Sequence, residues 1–254
     1  MVAKELIEGR WRFIIGGAVT LLIAVLVSAS YDLVRSMLAS ANTSALPAAF
    51  QQQILQGLGN YNSFTWAQWF GKNGQMILGA LAAFLGGGLL AGEVSKGTIY
   101  FLLSKPVSRE RVLLTKYLVT AAAFLAITAL GSVGVVVTAA AYGHPQPLGP
   151  VLVSTVLLWL GALSVLGVAL LCSAIFDDVL RPVGLALVFA VLIGLPAFVG
   201  AFVAGWTQWS LPNYWASQSY YLGGAFPVRE FAVSLIAAAA PLLLAWQVFR
   251  RRAY

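Results

Sequence analysis

The residue types that could do chemistry are few in this sequence, and they stand apart. There is one histidine, His144, one cysteine, Cys172, and one adjacent acidic pair, Asp177-Asp178. A nucleophilic enzyme needs its nucleophile beside a base, and a metal site needs several His, Cys or carboxylate ligands close together. A phosphate-binding loop ends in Gly-Lys-Ser/Thr, whereas the nearest fragment, "WFGKNGQ" at 69–75, places Asn73 after Lys72. The chain is therefore expected to carry no catalytic residue, cofactor or metal of its own. The remaining concentration of chemical groups is "GEVSKGTIYFLLSKPVSRERVLLTKY" at 92–117, which holds seven charges, five of them basic.

Elements that could position such a segment follow from composition. Of 254 residues 60% are hydrophobic and 9% charged, and the mean hydropathy is +0.88. So few charges cannot cover a water-soluble body, and the composition is that of a membrane protein. Crossing about 30 Å of hydrocarbon takes roughly 20 apolar residues as a helix. Six uncharged runs qualify, at about 13–30, 74–92, 117–142, 149–176, 182–205 and 231–249. The expectation is an all-α, polytopic single domain with six transmembrane helices, a cytoplasmic loop at 93–116 and outer loops at 31–73 and 206–230. The first run is longer than the core of a cleaved signal and is read as a span.

Basic residues near span ends stay cytoplasmic. With both termini inside, the inner segments hold twelve of the fifteen Lys and Arg, leaving Arg35, Lys72 and Arg229 outside. The net charge of +7 thus reads as a topology signal, with attraction to inner-leaflet lipid as a by-product and no nucleic-acid footprint. No Asp, Glu, Lys or Arg falls inside a span as drawn, which argues against ion-coupled carriers, whose coupling ion needs an ionisable group at membrane depth. If this protein moves something, the energy comes from another chain.

Within the 93–116 loop, Gly97 suits a left-handed helix end and Thr98 could cap a new helix. Ile99, Leu102 and Leu103 fall on one face of a short helix that Pro106 stops. Ser108 then caps a helix with Glu110 in its first turn, carrying Arg109, Arg111 and Lys116 into the third span. On these residues alone the loop is either a docking surface for a partner or a helix lying in the lipid interface.

Residue order adds a further point. Glu93, Gly97-Thr98, Leu102-Leu103, Pro106-Val107-Ser108-Arg109 and Lys116 resemble, in order and spacing, the first cytoplasmic loop of the ABC-2 permease family. The resemblance implies the membrane subunit of an ATP-binding cassette transporter, most simply an exporter in the plasma membrane. It further implies a homodimer seated on two cytoplasmic ATPase subunits, which bind the ATP and Mg. In that setting Glu93, Gly97, Thr98, Ile99, Leu102, Leu103, Pro106 and Arg109 would form the loop that meets the ATPase. The segment "KELIEGRWRF" would be an elbow along the inner surface. The alternative from another class is a membrane scaffold that docks a partner through the same loop without transport.

Other features are less specific. Gly88 and Gly92 have the spacing of close helix packing. Pro47, Phe50, Ile54 and Leu58 suggest an amphipathic helix in the first outer loop. The uncharged run from Pro182 to Val228 exceeds one crossing, which points to a short re-entrant or surface helix over the outer mouth. Ser132, Thr138, Ser154, Thr155 and Ser164 could line a wetter path.

Overall fold

A backbone in hydrocarbon must satisfy its own hydrogen bonds, and the apolar runs accordingly fold as helices. The structure, a computed structural model, describes residues 2–40, 60–99, 108–200, 202–203 and 205–252. Among the described residues there is no strand. The long helices are α1 (Val2–Ala29), α4 (Gly74–Gly87), α6 (Arg109–Ala141), α7 (Leu148–Ile175), α8 (Leu180–Gly200) and α10 (Val228–Arg251). Short helices are α2 (Tyr31–Ser40), α3 (Tyr61–Thr65), α5 (Ala91–Ser95) and α9 (Gln218–Tyr221).

Five of these, α1, α6, α7, α8 and α10, are long and apolar enough to cross a membrane. The expected run 74–92 differs: α4 has only 14 residues. Towards its N-terminus it continues without a break into a π-helical stretch, Trp66–Asn73, and then into α3. The wider π turn leaves carbonyls displaced, and side-chain amides answer them: Asn73 Nδ2 donates to Gln68 O (2.8 Å) and Gln75 Nε2 to Phe70 O (2.9 Å). Gly74 belongs there because a Cβ would stand 2.6 Å from the Trp69 carbonyl oxygen.

The helices pack so that both chain ends meet at one end of the bundle. α1 and α6 lie side by side in the same direction, with Gly16 facing Ile127 and Gly134 facing Leu21. α7 is central, packed on α4, α8 and α10. Its contacts rest on missing side chains: a Cβ at Gly86 would meet Ala169 at 2.7 Å, and one at Gly167 would meet Pro241 at 2.8 Å. Gly86 and Gly87 of α4 thus serve packing within the chain, whereas Gly79 has nothing within 4 Å of a Cβ. Gly88 and Gly92 do not share a helix, because α4 ends at Gly87. Ser132, Ser154, Thr155 and Ser164 are buried inside the chain, Thr155 donating to Ser132 at 2.8 Å.

At the opposite end the segment after α8 folds back on the bundle through 3-10 turns at Thr207–Trp209 and Leu211–Trp215, followed by α9. Trp215 is buried against Gly161, Gln75 donates to Pro212 O, and Tyr221 donates to Gln146. The amphipathic helix expected around Pro47 to Leu58 lies outside the described residues.

Candidate functional site

The second helical pass breaks at Gly88–Leu90, before the expected end at residue 92, and one side chain from α7 makes the break possible. Ser173 Oγ accepts Leu90 N–H (3.0 Å) and Ala91 N–H (2.8 Å) and donates to Gly87 O (2.8 Å). A hydroxyl has one donor and two acceptor positions, and all are used in a fully buried place. The turn therefore leaves these backbone groups satisfied, and a separate short helix, α5, starts at Ala91.

Gly97 follows α5 with φ +69°, the left-handed geometry expected of it. Nothing lies within 4 Å of a Cβ there, so glycine is required by the backbone rather than by crowding. Thr98 turns back: its hydroxyl bonds the Glu93 carboxylate and faces Glu93 O at 3.2 Å. The N–H groups that a forward cap by Thr98 would serve lie outside the described residues. Ile99 is 1% exposed, so it packs inside the chain rather than on an open face. Leu102, Leu103 and Pro106 lie outside the described residues. Ser108 caps α6 as expected, accepting Arg111 N–H at 3.2 Å.

Below this turn sits a charge cluster. Lys116, 3% exposed, holds its Nζ 2.9 Å from Glu5 Oε1 and 3.0 Å from Glu93 Oε1. Lys4 is 3.8 Å from Glu93 and 3.6 Å from Glu8. Burial raises the Glu93 pKa, but the Thr98 hydroxyl, the Lys116 ammonium and Lys4 outweigh it, so the carboxyl lies below its ordinary range. Glu5, Glu8 and Glu93 each bring an oxygen within 4.8 Å of the others. The two lysines offset two of those three negative charges, and the group behaves as a clasp joining α1, α5 and α6.

Arg109 is not part of this clasp. It donates to the carbonyls of Phe249 and Arg252, at the end of α10. Arg252 in turn pairs with Asp177 and donates to Ala174 O at 2.8 Å. Asp178 accepts Arg181 N–H at 2.9 Å, so the acidic pair locks the tail and starts α8. His144 stacks on Tyr61 at 4.4 Å, and Tyr61 bonds Ser28, which gives the one histidine a packing role.

Sequence reasoning missed Lys4, Glu5, Glu8 and Ser173. The first three lie on what was expected to be an elbow; instead residues 2–12 are the opening turns of α1, uninterrupted to Ala29. No proline interrupts "KELIEGRWRF", and Lys116 draws Glu5 against α6.

Among curated proteins none matches the chain. The family described as ABC-2 family transporter protein matches residues 3–253, nearly the whole length. With its apolar helices, the chain is a multi-pass membrane component of an ABC transporter, and family membership implies an ATP-binding cassette ATPase as its partner. The chain belongs to the ABC-2 family of transporter proteins.

Proposed function

We propose that this chain is the permease subunit of an ATP-driven exporter in the plasma membrane. It works as a homodimer on two ATPase subunits that bind ATP and Mg, and has no catalytic site of its own. The end that holds Lys116, Arg109 and both termini faces the cytoplasm, and the rod from Tyr61 to Gly87 completes six crossings. The ATPase meets the loop 93–116 through its exposed residues around Ser95, Lys96 and Thr98, while the buried Ile99 anchors the loop.

The observation that carries this reading is the double attachment of α5. Lys116 ties Glu93 to α6 and, through Glu5, to α1. Ser173 ties the turn before α5 to α7. A push on the loop is thereby delivered to three long helices at once, in the manner of a rigid-body switch between two arrangements. Gly97, at the far side of α5, is the point where the loop can redirect.

The test is reconstitution with the ATPase subunit. Glu93→Ala and Gly97→Leu should still insert and assemble, yet substrate transport per ATP hydrolysed should fall at least several-fold. Wild-type coupling in both variants would remove the loop from the mechanism.

A further inference from the structure

A cavity of about 800 Å³ opens beside the charge clasp, between α1, α4, α5 and α6. That is towards the upper end of ordinary ligand pockets, which run from about 300 to about 1,000 Å³. Its lining is of two kinds: Phe13, Leu81 and Phe84 supply apolar surface, and Arg12 and Lys96 are among the charged residues. Arg12 is the last charged residue before the uncharged run of α1.

The charges of the lining are not equally engaged. Lys116 is held by Glu5 and Glu93, and Lys4 by Glu8 and Glu93. Arg12 and Lys96 are exposed and form no ion pair with any described carboxylate. Arg12 reaches the helix break, its Nη1 lying 3.8 Å from where a Cβ on Gly88 would stand. Two uncommitted cations in one cavity with an apolar wall match a molecule with an anionic head and a hydrocarbon tail. A guanidinium presents paired N–H groups to phosphate oxygens, and an ammonium adds a point charge.

We propose that this cavity binds a membrane glycerophospholipid, its phosphate at Arg12 and Lys96 and an acyl chain along Phe13, Leu81 and Phe84. A soluble anion would gain nothing from the apolar wall. Lys96 also belongs to the loop assigned above to the ATPase, so the measurement is made on this chain without the ATPase, where a lost lipid preference is distinct from lost coupling.

The experiment is native mass spectrometry of the purified full-length protein in mixed micelles with equimolar phosphatidylglycerol and phosphatidylcholine. Each basic contact near a membrane surface is worth about 1 kcal/mol, so phosphatidylglycerol adducts should exceed phosphatidylcholine adducts on the order of tenfold. Arg12→Gln with Lys96→Gln should bring the ratio close to one, and Leu81→Trp, which fills the apolar part, should lower retention of both lipids. Equal adducts of the two lipids on the wild type would overturn the proposal. So would a preference that survives in the double variant, or glycerol phosphate displacing the lipid at equal concentration, which would assign the site to a free phosphate. Helical content by circular dichroism confirms that each variant is folded.

Discussion

Lys116 and Glu93, 23 residues apart in the chain, hold their charged atoms 3.0 Å apart where the lysine side chain is 4% exposed and the glutamate 12%. Exposed ion pairs contribute little, but removing one partner of a buried pair strands the other charge. Lys116→Met would leave Glu5 and Glu93 facing each other with only Lys4 near the latter. The expected loss is about 3–5 kcal/mol, read as a large fall in the unfolding midpoint of the detergent-solubilised protein. Lys116→Met with Glu93→Gln should lose clearly less than the sum of the two single changes. Additive losses would mean that the pair carries no coupling.

The same pair sets a pH dependence. Glu93 has a folded pKa below its unfolded value of about 4.3. A depressed carboxyl contributes stability that is present above the unfolded value and lost as pH falls through the folded one. The midpoint difference between wild type and Glu93→Gln should therefore stay level from about pH 8 to about pH 5 and shrink below about pH 4. A difference that changes near neutral pH would contradict this assignment.

Ser173 makes a separate prediction, because its hydroxyl alone answers three backbone groups at the break. Ser173→Ala would leave two buried N–H groups and one carbonyl unmet, at about 1–3 kcal/mol for each group that finds no water. Hydrogen exchange at Leu90 and Ala91 should accelerate markedly in this variant. Unchanged exchange there would show that the break does not depend on α7.

At the opposite end, a Cβ on Gly161 would stand 2.4 Å from the Trp215 ring. Gly161→Ala should push Trp215 outward, cost about 1–3 kcal/mol, and make the 207–221 segment more open to proteolysis. Wild-type protection would mean that the ring shifts locally without loosening the cap.

Much of this could be read in the sequence because it is local. Ser108 caps α6 and Gly97 takes a left-handed φ for reasons contained within a few residues. The long uncharged runs read as helices because a backbone in hydrocarbon must satisfy itself and runs of about 20 apolar residues lack the alternation of short barrel strands. What escaped depends on packing between distant segments. Ser173 looks like any small polar residue in an apolar run until α7 is laid against the turn at Gly88. Glu5 becomes a partner of Lys116 only because α1 and α6 run side by side. The π-helical stretch carried one faint sign, the amides Asn73 and Gln75 placed five residues after the carbonyls they answer. The bond from Thr98 to the Glu93 carboxylate was not legible either, because it depends on the turn at Gly97 bringing the hydroxyl back over α5.

In the proposed function the turn after α5 faces the cytoplasm and touches the ATPase. Ser95 is exposed there, and Cys172 is the only native thiol, so Cys172→Ser with Ser95→Cys gives a single reporter. In native membranes, a membrane-impermeant maleimide should label it only from the cytoplasmic side, and a short bifunctional maleimide should link it to the nucleotide-binding subunit. Labelling from the outer side, or no cross-link to that subunit in an assembled complex, would contradict the account.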